Sequence, residues 1–258
     1  MTKILNRNLI KYLCIILMTL DHLTLINHNL EFNIVSVFFS RIVCPIMIYF
    51  IVDGYFYTKD LKAYIKRLLL FGFISWFCFS FYYYNDFLPI RLINGIVSSN
   101  APSLVIGNHT LIIHIGGVIM NLFLCLLLVG ILDRLKYSRI INILISIMFF
   151  YLSLFFDWGG YCILFTLIFY YFRDKKIIKW ILYTLICVLY LFNVDIDPLG
   201  LTINFSFNFY AVGCLLIIPI IEVLYNNMSG IKNKFNKYFF YIYYPLHLVI
   251  IRLLSYYL

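Results

Sequence analysis

Along this chain, apolar residues fall in long blocks, not in the short alternating patterns of a soluble sheet or the one-sided stripes of a soluble helix. The blocks run over about 8–27, 35–57, 65–84, 111–132, 139–156, 159–172, 177–193, 204–225 and 238–257. A bilayer core of ~30 Å needs about 20 helical residues, and most of these blocks are long enough. The pattern therefore predicts an all-α fold: a polytopic integral membrane bundle of about nine (8–10) transmembrane helices, with the sixth and seventh short. Residues 1–258 read as one domain, without linker, low-complexity tract or repeat. Met1 to Asn27 has no small-residue cleavage site and reads as a first span with a basic flank. The stretch from Asn85 to Thr110, rich in Asn, Ser, Gly and Pro, reads as the one long loop, with a short or re-entrant segment around Leu88 to Val97.

The polar residues between the blocks assign the two sides. All but Arg41, Arg91 and Arg252 of the 20 Lys and Arg fall at alternate block ends: Lys3, Arg7 and Lys11; Lys59 to Arg67; Arg134 to Arg139; Arg173 to Lys179; Lys232 to Lys237. The other connections carry Glu31, Asp86, Asp157, Asp195 and Asp197. Basic loops stay in the cytoplasm, so the reading is a multi-pass protein of a bacterial-type cytoplasmic (inner) membrane with a cytoplasmic N-terminus. Nine passes put the C-terminus outside. The net charge of +9 is then a topology signal, and no nucleic-acid partner is expected. Composition agrees: 64% of residues are hydrophobic and 12% charged, outside the range of soluble domains. The seven cysteines lie in or beside apolar runs without a CxxC pair, and read as small core residues. No Walker loop, GxGxxG, HExxH or serine elbow occurs, and the histidines lack metal-ligand spacing, so no metal is expected.

Ionisable groups inside the apolar blocks are costly and need a partner or a job. Asp21 and His22 close the first block; Arg41 opens the second, beyond a turn near His28 to Asn33. In an antiparallel hairpin Arg41 and the Asp21-His22 pair share a depth roughly 10 Å below the outer surface. Neighbours on a helix point ~100° apart, so one of the pair is expected to meet Arg41 while the other faces a cavity. A purely structural Asp21–Arg41 pair, with His22 bonded to a backbone carbonyl, is the alternative. Imidazole is the natural base near neutral pH. Asp53 lies ~18 Å deeper along the second span, beside Gly54 and the interface residues Tyr55, Tyr57 and Thr58. Asp157-Trp158-Gly159-Gly160-Tyr161 reads as a tight outer turn or a wall of the site. In the last span Pro245 frees the carbonyl of Tyr241, and His247, with Tyr244 nearby, falls near the midplane as a candidate lining of a polar passage or a satisfied structural histidine.

Thr19-Asp21-His22-Leu23, Arg41, Pro45, Asp53-Gly54-Tyr55, Thr58, Tyr64 and Arg67-Leu68 together resemble the TraX family. So do the Asp157 to Tyr161 run and the closing Lys237 to His247. The stretch Tyr225-Asn226-Asn227-Met228-Ser229-Gly230 departs from the more basic sequence the family has there. The resemblance implies N-terminal acetylation of a conjugative pilin, and kinship with transmembrane acyltransferases that draw on cytosolic acetyl-CoA and use an intramembrane histidine. Carried over to this chain, it implies His22 as catalytic base or acyl-handling residue, with Asp21 and Arg41 supporting it. Asp53, Tyr57, Lys66, Arg67 and Lys237 become candidates to hold acetyl-CoA; Asp157, Tyr161, Tyr244 and His247 become candidates for the substrate cavity. The expected function is transfer of an acetyl group to an amine or hydroxyl of an acceptor peptide or glycan. A transporter or flippase, and a membrane assembly factor without chemistry, are the alternatives.

Overall fold

The computed structural model describes residues 3–94, 103–106, 108–135, 137–192, 194–196, 203–231 and 233–258. Each apolar block of the sequence contributes a helix. In chain order these are α1 (Arg7–Leu23), α2 (Leu30–Ser40), α3 (Val43–Tyr57), α4 (Leu61–Tyr84), α5 (Val118–Leu135), α6 (Arg139–Ser153), α7 (Tyr161–Tyr171) and α8 (Lys176–Leu191). An irregular α9 (Phe209–Leu224) and α10 (Lys234–Leu254) follow. Asn6, Asn29, Asp60, Ser138 and Asn233 cap helix starts with a side-chain oxygen, as short polar side chains do where the first N–H groups lack partners. Among the described residues, Leu30–Tyr57, Leu61–Tyr84 and Val118–Leu135 are long and apolar enough to cross a membrane.

The break between α2 and α3 has a local cause. Pro45 sits in the first turn of α3, where its missing N–H costs nothing, but its ring excludes the carbonyl four residues back. That carbonyl belongs to Arg41, which ends α2 as its C-cap. The thiol of Cys214 in α9 approaches the displaced oxygen at 3.5 Å. The apolar block is thus kinked at the position of its one guanidinium.

The stretch after α4 corrects the expected loop and re-entrant segment. Asn85, with φ 57°, stops α4 in the left-handed conformation. Strands β1 (Ile90–Asn94), β2 (Ser103–Ile106) and β3 (His109–Ile113) then form an antiparallel sheet in the order β1-β3-β2, with Arg91 opposite Ile112. In β3, Thr110 and Ile112 are buried between exposed or half-exposed neighbours, which is the period of a strand. The fourth apolar block therefore merges a strand with a helix, and α5 starts only after Gly116 and Gly117. Residues 95–97 of the expected re-entrant segment, and the loop charges Lys136, Asp197 and Lys232, lie outside the described residues. A short ladder of β4 (Val194–Ile196) and β5 (Ile203–Phe205) follows α8.

The centre of the bundle is α3, α5 and α7, where Ile46, Ile48, Leu126, Leu128, Ile163 and Phe165 are fully enclosed. Outer helices α6 and α8 turn Ile140, Leu144, Ile147, Ile181 and Leu185 outward, an apolar exterior that suits lipid contact. The basic helix ends gather at one end. There Arg7 pairs with Asp53, Arg173 lies 3.9 Å from the same carboxylate, and Tyr12 donates to Asn236 at 2.6 Å.

Candidate functional site

One cavity of about 630 Å³ runs between α1, α3, α4, α5 and α10. Its wall on α1 is a single helical stripe: Arg7, Lys11, Cys14, Met18 and His22 all line it, three or four residues apart on one face. At the basic end Arg7, Lys11, Arg67 and Lys237 meet Tyr57, Asn227, Ser229 and Asn236. At the other end stand Asp21, His22, Ser40, Arg41, Tyr83, Asp157, Trp158 and Tyr244.

Arg41 is held at the α2–α3 kink. Its Nη2 lies 3.8 Å from Asp21 Oδ1, its Nη1 donates to Tyr190 Oη at 3.4 Å, and its guanidinium lies 5.6 Å from the Trp158 ring centre. The Nε of Arg41 is buried and has no partner, so the planar fork keeps a donor to spare in the cavity wall. Of the expected pair it is Asp21 that meets Arg41; both Asp21 and His22 line the cavity, and His22 is bonded to a backbone carbonyl, as the structural alternative has it.

Behind His22 is a feature that the sequence does not display. His22 Nδ1 donates to Met18 O at 2.8 Å and lies 3.1 Å from His247 Nε2. His247 Nδ1 in turn donates to Tyr243 O at 3.0 Å. The two rings sit 4.9 Å apart, edge to face, and Tyr82 braces the pair by donating to His22 O at 2.7 Å. The midplane position read for His247 thus becomes a place directly behind His22.

The Asp157 turn is built to enter the wall. Trp158 has φ 70° and Gly159 φ 47°, consecutive left-handed residues, of which glycine accepts the second without strain. Buried Asn121 of α5 reaches into the turn, donating to Asp157 O at 2.8 Å, with Gly159 O and Ser153 O each at 3.4 Å. Backbone bonds from Asp157 N to Gly116 O and from Gly116 N to Phe155 O tie the turn to the start of α5.

Of the residues singled out in the sequence, Asp21, His22, Arg41, Tyr57, Arg67, Lys237, Asp157 and Tyr244 line the cavity. Lys66 is exposed outside it. Asp53 is engaged by Arg7 and Arg173, and Tyr161 packs on Tyr190 with ring centres 4.7 Å apart. His247 touches the site through His22. Sequence reasoning treated Arg7 and Lys11 only as topology markers; their spacing with His22 is the signal that places them on the same face. Trp158 enters with the turn that was read as a wall of the site, whereas Tyr83 carries no such signal, since aromatics are everywhere in this chain. Among the described residues no group of three or more His, Cys, Asp and Glu is placed to hold a metal.

Helices long and apolar enough for a bilayer, wrapped around a charged cavity, define a helical membrane protein with an internal polar site. The model of the family described as TraX protein matches residues 6–255, and the chain belongs to that family. It is also 24% identical over 246 residues to a probable fimbrial assembly protein FimC, serogroup H1, of Dichelobacter nodosus, covering 94% of this chain and 92% of that protein. No solved structure matches.

Proposed function

We propose that this protein is a membrane-embedded acyltransferase that moves an acetyl group from a coenzyme A thioester to an amine or hydroxyl of an exported peptide or glycan. One observation carries the reading: a single cavity joins four cations at the basic end to His22 and Arg41 at the other. In the proposed orientation the basic end and the N-terminus face the cytoplasm of an inner membrane, and all nine apolar blocks cross. α7, with 11 residues, is too short alone. Its crossing is completed by the preceding turn, whose carbonyls Asn121 serves, and irregular backbone is tolerated at depth where protein satisfies it.

The residues fit such a donor. Arg7, Lys11, Arg67 and Lys237 suit its phosphates, and the Nε of Arg67 is buried without a partner. A cavity of about 630 Å³ suits a slender acyl-bearing arm, with the nucleotide left at the mouth. The thioester contributes the activated acetyl group; the chain supplies the rest. Because a carbonyl only accepts, His22 Nδ1 carries the proton given to Met18 O, which leaves the lone pair on Nε2. That nitrogen takes the acceptor's proton as the new bond to the acyl carbon forms and the carbon–sulfur bond breaks. Arg41 steadies charge on the acyl oxygen, and the sulfur leaves as thiolate. His22 lies far from the basic loops, and the donor arm reaches it by extending along the α1 stripe.

The family and the fimbrial relative together support a pilin-related role. The name of that relative favours a second reading, in which the protein assists assembly of a fimbrial subunit without chemistry. The test is purified protein in nanodiscs with radiolabelled acetyl-CoA and peptides bearing free or blocked N-termini. Label transfer to acceptor is expected, falling about 10²–10⁴-fold in His22→Ala and His22→Gln without loss of folded yield. No transfer to any acceptor by folded protein leaves the assembly reading; full activity in both variants removes His22 from the role.

A further inference from the structure

Resting on the reading of His22 as the base, we infer that His247 is its positioning residue: it shares the Nδ1–H of His22 with Met18 O and takes that proton during turnover. The argument is one of hydrogen-bond accounting. Met18 O and Tyr243 O accept only, so both histidines are protonated on Nδ1. His247 Nε2 is then a bare lone pair 3.1 Å from His22 Nδ1, whose one N–H is shared between it and Met18 O. In most working histidines the group behind the ring is a carboxylate or a carbonyl. The neighbouring carboxylate, Asp21, is turned to Arg41 instead. Met18 O fills that place, and the second imidazole beside it brings something a carbonyl lacks, the capacity to take a proton.

The orientation is enforced from several sides. The Tyr243 ring stacks on His247 at 5.2 Å and 10°, and Tyr243 Oη meets Thr19 Oγ1 of α1 at 2.8 Å, tying α10 to α1 one helical turn from the two rings. When Nε2 of His22 takes the acceptor's proton, the Nδ1 proton moves to His247 Nε2. The reverse shift returns one proton through His22 to the departing thiolate. Acceptor, thioester, amide or ester and thiol balance, and both rings end as they began.

The first test needs no turnover: ¹⁵N spectra of histidine-labelled protein in nanodiscs, with His22 and His247 assigned from His22→Ala and His247→Ala. A coupling through the hydrogen bond between His22 Nδ1 and His247 Nε2 is expected in the wild type. Its absence overturns the inference whatever the activity. In the transfer assay His247→Ala is expected to lower kcat about 10–100-fold, the range for removing the partner of a working histidine, with the donor KM unchanged. His247→Gln, which keeps an acceptor for the Nδ1 proton but takes no proton, is expected to fall between. A His247→Ala rate within twofold of wild type overturns the inference. Loss of the coupling therefore faults the pair, a wild-type rate in His22→Ala removes His22 as the base, and no transfer by folded wild-type protein faults the acyltransfer reading itself.

Discussion

Replacing Arg41 by Met and Asp21 by Asn, singly and together, measures how far the kink, the ion pair and the site depend on one another. Two unit charges 3.8 Å apart attract by about 4 kcal/mol at an effective dielectric constant of ~20, but much of that is returned in desolvation. The side chains are 22% and 25% exposed. That places the pair between an exposed bridge, worth about 0.2–1 kcal/mol, and a buried one, whose breakage costs about 3–5 kcal/mol. A coupling of about 1–2 kcal/mol is expected. Arg41→Met also loses the Trp158 face, about 0.5–1 kcal/mol, and the long bond to Tyr190, so it should destabilise by about 2–3 kcal/mol against about 1–2 for Asp21→Asn. The double variant should cost less than the sum. Unfolding in mixed detergent micelles, followed by tryptophan fluorescence, reports directly because Trp158 covers the guanidinium. Additivity within about 0.3–0.5 kcal/mol would refute the coupling. Arg41→Lys keeps the charge without the fork: it should restore stability more than it restores transfer.

Three further outcomes follow from the same geometry. With Cys introduced at Lys59 or at Leu88, both exposed, an impermeant maleimide applied to intact cells should label position 88 and spare position 59; the opposite result reverses the orientation. Six of the seven native cysteines are buried, so background should be low. In Gly213→Ala the new methyl meets the Phe38 carbonyl and approaches Arg41 Cβ to 3.2 Å, so a loss of about 1–3 kcal/mol is expected, and a wild-type melting curve would count against the tight α2–α9 approach. Arg67→Gln with Lys237→Gln should raise the donor KM about tenfold while sparing kcat, and should weaken the salt dependence of KM; an unchanged KM moves the anion site elsewhere.

The helical blocks and the shared depth of Asp21 and Arg41 were legible because each depends on local spacing and on the cost of charge in an apolar run. The sheet of 90–113 was not, because Leu, Ile and Val are as apolar in a buried strand as in a span, and apolarity outweighed the two-residue alternation of Thr110 and Ile112. The partner of Asp53 was missed for another reason. Arg7 was fully accounted for as a topology charge, and nothing in a sequence says that a residue with one explanation has a second.

The histidine pair shows where depth estimates mislead. His22 was placed from the turn that follows it, whereas His247 was placed from the middle of its own block, and the two rulers disagree by several residues. Measured from the same basic end, along α1 from Arg7 and along α10 from Lys234, the two lie about 22 and 20 Å deep at ~1.5 Å per residue. Parallel helices that start together bring such positions level, and Tyr243 with Thr19 sets the rotation that turns the rings toward each other. The bases and cations of the proposed reaction are then arranged along α1 and α10 as two facing columns, Lys11 and Lys237 at the mouth and His22 and His247 at the head. A change in the helical phase of either column between mouth and head would separate the imidazoles while leaving every local pattern in the sequence intact.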